Sequence, residues 1–337
     1  MPNKFSRVFV TGGAGYIGSL LVPQLLDRGY KVTSYDITYY GDEFLPKNNP
    51  NFRAIQGDIR DTGALSQAVQ GHDAFVNLAC ISNDASFELN ESLSTSVNLD
   101  AFEPMVVADK KAGVKRFIYA SSSSVYGVSD QPDVTEDHPL VPLTLYNKYK
   151  GMCEPLLLKH TDAGFSGVIF RPATVCGYAP RQRLDLSVNI LTNHAINNKK
   201  IMVFGGDQMR PNLHIADYCA AVQLFIDAPD EKIANQIFNV GYQNMSIRDI
   251  ALLVKRVVEQ EFPENGDIPI MTTPSDDNRS YHINSDKIRR MLGFTPTHSI
   301  EEAVRDLCHA FKQGKLANAM TDDVYYNVRR MKNLRAA

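Results

Sequence analysis

Cysteine pairs, long apolar runs and a surplus of either charge are missing from this chain, and each absence closes off a class of protein. Its 337 residues include five cysteines, Cys80, Cys153, Cys176, Cys219 and Cys308. They are odd in number, widely spaced and never in a Cys-x-x-Cys pair, so neither a disulfide framework nor a metal site is expected. No run approaches the roughly 20 apolar residues that span a bilayer. The opening MPNKFSRVFVTGG has no apolar signal core with a cleavage site, so a cytoplasmic, reducing setting away from membranes is expected. Lys plus Arg number 35 against 38 Asp plus Glu, a net charge of −3. Without a basic excess there is no field for nucleic acid, and any anion site must be local. At 44% hydrophobic and 22% charged, the composition excludes a disordered or fibrous chain. The length suits a two-lobed or single large α/β unit.

The first apolar stretch, Val8-Phe9-Val10, runs into Thr11-Gly12-Gly13-Ala14-Gly15-Tyr16-Ile17-Gly18. An amphipathic run from Ser19 to Arg28 follows, then Gly29 as a helix stop, then a second strand from Val32 to Asp36. In a strand, glycine turn, helix and strand, the glycines let backbone approach a pyrophosphate, whose charge meets the helix start. A glycine turn alone is commonplace. Asp36, 18 residues after Gly18, adds an acceptor for a ribose 2′-hydroxyl. A carboxylate there repels a 2′-phosphate and Ile37-Thr38 offers no arginine, so NAD is expected rather than NADP. Pro23 within the helix predicts a kink.

Further strands are read at 52–56, 74–79 and 116–120, with helices at 62–70 and near 97–112. The alternation predicts an α/β fold, a Rossmann-type doubly wound parallel sheet. Asp58, Leu78-Ala79-Cys80 and Ser121 to Tyr126 then fall at strand carboxyl ends, on the cofactor edge. Some twenty residues on, Tyr146 and Lys150 stand four apart, on one face of a helix. By itself such a pair is an ordinary exposed helix face. Downstream of a dinucleotide turn and a serine cluster it reads as chemistry. A free tyrosine, with a pKa of about 10, is a poor base at neutral pH. Lys150 and an oxidised nicotinamide are expected to lower that value.

Taken together, TGGAGYIG, GDIRD at 57–61, Asn98, SSSSVYG, YNKYK, Arg171-Pro172 through Gly177 and Arg210 to Asp217 resemble one family over nearly the whole chain. It is the NAD-dependent nucleotide-sugar epimerase/dehydratase family of extended short-chain dehydrogenase/reductases. The resemblance implies that Tyr146 is the base, that Lys150 holds the nicotinamide ribose, and that Ser122 hydrogen-bonds the reacting sugar oxygen. It implies that Gly12, Gly15, Tyr16, Ile17, Gly18, Asp36, Asp58, Ile59, Leu78, Ala79, Asn98 and Pro172 serve the cofactor. Residues 1–174 become the NAD-binding domain, with later segments around 205–245, Gln236 to Val240 among them, returning to it. Residues 175–337 become mainly a smaller substrate-binding lobe. The substrate implied is a nucleoside diphosphate sugar, oxidised at carbon 4 to a keto sugar. A homodimer through helices Val97 to Ala112 and Leu145 to His160 follows the family habit, although Pro104 and Pro155 are read as interrupting both.

The family's 4,6-dehydratases carry acidic residues at the positions matching Ser123 or Ser124, and hydroxyls supply the proton chemistry of water elimination poorly. Epimerisation needs only the serine, tyrosine and lysine and is the expected outcome. A 4-dehydrogenase or 4-ketoreductase needs the same set; 4,6-dehydration and a non-catalytic dinucleotide sensor rank below. For the diphosphate, the planar arginine fork points to Arg181, Arg183, Arg210 and Arg279. Arg181 and Arg183 have an equal claim to plain solvated surface, whereas the family uses the arginine four residues before His214 on substrate phosphates. Asn189, Ser123 and Thr174 complete the expected substrate set. Thr174 replaces a common substrate-binding asparagine and Cys176 a usual tyrosine, which points away from the galactose epimerases. RLDLSVN is similar to a segment in members acting on bacterial heptose or deoxysugar nucleotides. Cys80 and Cys176 read as small core residues, and His214 as a packed one. The tail from Thr321, with Val324 to Asn327 ahead of the basic run Arg329 to Arg335, packs on the body or on a partner subunit.

Overall fold

The computed structural model describes residues 5–82, 84–129, 131, 133–275 and 280–336. Six strands come first: β1 (Arg7–Thr11), β2 (Lys31–Asp36), β3 (Phe52–Gln56), β4 (Ala74–Asn77), β5 (Arg116–Ala120) and β6 (Ser166–Pro172). Then follow β7 (Thr174–Cys176), β8 (Ile201–Phe204), β9 (Met209–His214), β10 (Gln236–Val240), β11 (Gln243–Ser246) and β12 (Ile270–Thr273). A seven-stranded parallel sheet has the order β10-β6-β5-β4-β1-β2-β3. Chain order reverses between β1 and β4, and a crevice opens there beyond the carboxyl ends of the strands. β11, β9 and β7 make a three-stranded sheet, and β12 pairs with β8.

Alternation along β1 shows why the central strands are apolar on both faces. Val8 and Val10 point to one face and Phe9 to the other, and all three are fully buried. Val8 and Val10 meet Leu21 and Leu25 of helix Gly18–Asp27 and Phe225 of helix Ile215–Asp227. Phe9 stacks on Phe75 at 5.3 Å, which stacks on Phe117 at 4.8 Å. Met105 of helix Phe102–Lys111 and Leu157 of helix Leu145–Leu158 cover that row. Each fully buried ring contributes roughly 1.5–3 kcal/mol. A separate core joins helices Ser187–Asn197, Ile247–Glu261 and Ile300–Lys312 through Leu191, Val254 and Val304.

The prolines do less than their sequence positions suggest. Pro23 and Pro155 lie inside their helices without ending them. Pro104 falls just after the helix passes from its π turn to α-helix, and the helix runs on past it to Lys111. The helix read from Val97 instead begins as a π turn, Ser96–Asp100, and becomes α-helical from Phe102. Among the described residues no helix is long and apolar enough to cross a membrane, and no cluster of ligands suits a metal ion. The five cysteines are free thiols.

Candidate active site

A cavity of about 650 Å³ occupies the crevice. Gly12 makes its inner edge possible: it has a φ of +75°, and a Cβ there would stand 2.7 Å from the Ala79 amide nitrogen. The glycine turn therefore presses on the loop after β4. Gly12, Gly15, Tyr16, Ile17, Asp36, Asp58, Ile59, Leu78, Ala79 and Pro172 all line the wall. Two expected cofactor residues do not. Gly18 stands behind the wall, where a Cβ would overlap the Gly13 carbonyl, so its smallness seats the helix on the turn. Asn98 accepts from the Ile81 amide at 2.9 Å and donates to the Ile81 carbonyl at 2.8 Å, which makes it the brace of the loop after β4.

Asp36 accepts from the amides of Ala14 at 3.0 Å and Thr38 at 2.7 Å; burial nevertheless pushes its pKa up. Asp58 is gripped by Arg60, whose hydrogen bonds hold that carboxyl below the usual range. Tyr16 lines the wall with its ring while its hydroxyl donates to the Gly177 carbonyl at 2.6 Å, tying the glycine turn to the segment after β7.

At the other end, Ser122 caps the 3-10 turn Ser123–Tyr126: its Oγ accepts from the Ser124 amide at 3.2 Å and lies 2.7 Å from the Ser124 Oγ. The Ser124 hydroxyl donates to Asn147. Ser123 is buried, 3.5 Å from the Tyr281 hydroxyl. Thr144 caps helix Leu145–Leu158 and brings Tyr146 and Lys150 onto the same wall. Lys150 Nζ donates to the Ala120 carbonyl at 2.8 Å and lies 5.9 Å from the Tyr146 ring centroid. The Tyr146 ring keeps partial access to the cavity. It sits so deep that desolvation dominates and pushes its phenol well above the ordinary value, with Cys80 and Asp84 adding to the rise. Arg183 is a cation whose charge opposes this shift.

Behind the serines lies a buried ion pair. Arg171 Nε and Nη2 donate to Glu154 Oε1 at 2.9 Å and Oε2 at 2.6 Å, and Ser121 donates to Glu154 at 2.7 Å. Arg171 also donates to the Tyr126 hydroxyl at 2.7 Å and the Glu136 carbonyl at 3.0 Å. This network locks β5, β6 and the helix of Tyr146 together.

Of the expected substrate residues, Ser123, Thr174, Arg181 and Arg210 reach the wall, beside the half-exposed ring of Phe204. Arg279 lies outside the described residues. Asn189 is fully buried off the wall: its amide accepts from Gly177 N at 3.0 Å and donates to the Tyr16 hydroxyl and the Arg183 carbonyl. It is a brace, with both donor hydrogens engaged. Arg181 and Arg183 are 2% and 8% exposed, which excludes the surface alternative. The backbone amide of Arg181 donates to Ser19 Oγ at 3.1 Å, in the helix after the glycine turn, and its guanidinium sits 3.8 Å from the Tyr40 ring centroid. His214 accepts from the Ala216 amide at 3.1 Å, capping the next helix, and lies 3.1 Å from Asp306. Tyr39, Tyr40, Asp185, Asn327 and Met331 also line the cavity. The sequence reading missed them, although the Arg-x-Arg-x-Asp spacing of 181–185 was a usable signal.

The residues present fit a dinucleotide. A turn that only glycine can make faces a carboxylate placed for a ribose, and two buried donors on the wall, Arg181 Nε and Arg183 Nη2, have no hydrogen-bond partner. Such a sheet, cleft and tyrosine–lysine pair define an NAD-dependent enzyme of the extended short-chain dehydrogenase type. Residues 8–241 match the NAD dependent epimerase/dehydratase family, and the chain belongs to it; its cofactor is NAD. The chain is 28% identical over 310 residues to dTDP-glucose 4,6-dehydratase of Streptomyces niveus, covering 86% of this chain and 88% of that one. It is 28% identical over 319 residues to UDP-glucose 4-epimerase of Lactobacillus helveticus, covering 87% and 92%. The solved structure of MoeE5 in complex with UDP-glucose and NAD matches with a TM-score of 0.79 at 26% identity, over 92% of this chain and 99% of that one. Relatives at equal distance thus carry out two different reactions.

Proposed function

We propose that this enzyme epimerises a nucleoside diphosphate sugar at carbon 4. The observation that carries the reading is the serine cluster. Ser122, Ser123 and Ser124 offer hydroxyls on the wall shared with Tyr146, where water elimination calls for an acid and a base. When bound, NAD supplies reversible oxidation at carbon 4 of the sugar. Tyr146 takes the proton from the carbon 4 hydroxyl and later returns it to the same oxygen. Ser122, whose hydrogen points at Ser124 Oγ in the free protein, turns to donate a hydrogen bond to that oxygen in the keto sugar. Lys150, oriented by the Ala120 carbonyl, holds the nicotinamide ribose. Arg210 meets the diphosphate, Thr174 and Ser123 meet the sugar, and the exposed Phe204 ring offers a stacking face for the base. Residues 1–174, with later segments around 205–245 of which β10 joins the main sheet, form the cofactor domain, and 175–337 mainly the lobe over the sugar. A cytoplasmic homodimer belongs to the same proposal, tested by light scattering.

The test is holoenzyme with a panel of uridine, guanosine, thymidine and cytidine diphosphate sugars, no added cofactor, and products read by NMR. The proposal expects one sugar to equilibrate with its 4-epimer and no net NADH. In parallel reactions supplied with NAD or NADH, net reduction of NAD selects the 4-dehydrogenase and consumption of NADH the 4-ketoreductase, while a 4-keto-6-deoxy sugar selects the 4,6-dehydratase; each contradicts it.

A further inference from the structure

The C-terminal helix Asn327–Ala336 lies along the NAD cleft and contributes Asn327 and Met331 to its wall. Asn327 accepts from Arg181 Nη2 at 2.8 Å, donates through Nδ2 to Ser82 Oγ at 2.9 Å, and donates through its backbone amide to Asp185 at 3.0 Å. One turn on, Arg330 Nε donates to the Tyr39 carbonyl at 2.7 Å. The helix therefore joins the loop after β2, the loop after β4 and the 181–185 segment.

Arg181 is the centre of this arrangement. It is 2% exposed; its Nη2 bonds the neutral Asn327, its Nε has no hydrogen-bond partner among the described residues, and its face lies on the Tyr40 ring. Burial and neighbouring Arg183 push its pKa down to about 10, against the pull of Tyr40, Asp185 and Asp36. A buried guanidinium hydrogen-bonded only to a neutral amide calls for an anion. The bond from its amide to Ser19 sets Arg181 at the first turn of the helix after the glycine turn, where a pyrophosphate lands. The charge of Arg181 acts on Asp36, and Arg183 lies within electrostatic reach of both Arg181 and Tyr146.

We propose that Arg181 is a ligand of the cofactor pyrophosphate, and that the C-terminal helix, through Asn327 and Arg330, straps the dinucleotide in so that NAD stays bound from one turnover to the next. The proposal rests on the NAD cleft and is independent of which reaction follows. It is tested by exchange of bound NAD on the holoenzyme against excess labelled NAD, alongside calorimetric titration with UDP and dTDP. Arg181→Gln is expected to release NAD roughly 10- to 100-fold faster, the loss of a charge-assisted hydrogen bond. Its affinity for whichever nucleoside diphosphate binds is expected to stay as in the wild type. Asn327→Ala and Arg330→Ala are expected to speed release by about three- to tenfold. If Arg181→Gln instead retains NAD and weakens the nucleoside diphosphate, Arg181 is a substrate residue and the proposal is overturned. Should Arg181→Gln not fold, wild-type exchange in both tail variants overturns it equally.

Discussion

Replacing Glu154 by leucine should weaken the enzyme from behind its active site, and the size of the effect follows from the geometry. Glu154 and Arg171 are each 3% exposed. The substitution removes both guanidinium bonds and the Ser121 bond, and it strands a buried cation whose remaining acceptors are the Tyr126 hydroxyl and the Glu136 carbonyl. Breaking one side of such a pair costs about 3–5 kcal/mol. At roughly 2 °C per kcal/mol for a chain this long, Tm falls by about 6–10 °C. Glu154→Gln keeps an oxygen acceptor and should lose less, about 2 kcal/mol. Glu154→Leu combined with Arg171→Met removes both charges and should recover most of the loss, since apolar pairs of similar volume often replace buried ion pairs without penalty. The assay is thermal unfolding by circular dichroism at fixed saturating NAD, because bound cofactor itself shifts Tm. A Glu154→Leu protein melting within about 2 °C of wild type, or a double variant no better than the single one, would refute the reasoning.

Tyr146→Phe should lower kcat by about 10²- to 10⁴-fold while the protein still copurifies with NAD; sugar turnover near the wild-type rate would remove Tyr146 from the mechanism. Arg183 pulls the Tyr146 phenol down against burial, so Arg183→Gln should raise the phenol pKa and move the rising limb of log kcat against pH to higher pH. An unmoved limb contradicts the assignment. Asp109 is fully buried with neither carboxyl oxygen hydrogen-bonded, and burial raises its pKa well above normal. A carboxyl whose folded pKa is raised destabilises the fold increasingly as pH climbs above the unfolded value of about 3.9. Asp109→Asn should therefore stabilise the protein at pH 8, by about 1–3 kcal/mol, with the gain shrinking toward pH 4. Denaturant melts at both pH values check this, and a gain that grows on acidification has the wrong sign.

Much of the fold could be read locally, for physical reasons. β1, β2 and β5 are largely buried strands bounded by glycine or polar turns, so pattern and position coincide, while β3 is a more exposed edge strand. β4 ends at Asn77 and not at Ala79, because Leu78 and Ala79 form the loop against which Gly12 presses. That Tyr146 and Lys150 share a wall with the serines after β5 is legible through helix spacing and strand-end position, while Ser122 is singled out by the family resemblance. Asn98, Asn189 and Gly18 look like contact residues and act as braces, a distinction that depends on partners far along the chain. Asn189 reaches Tyr16 across 173 positions, and Arg181 reaches Asn327 across 146. Residue type and spacing mark Arg181 as an anion ligand, while its burial and its bonds to Ser19 and Asn327 appear only in the fold.

A nucleotide sugar deuterated at carbon 4, incubated with holoenzyme in ordinary water and followed by NMR, tests the central claim most directly. Epimerisation through the bound cofactor expects a 4-epimer that keeps its deuterium at carbon 4. An epimer with hydrogen at carbon 4, deuterium in free NADH, or deuterium at carbon 6 of a 4-keto-6-deoxy sugar would contradict it.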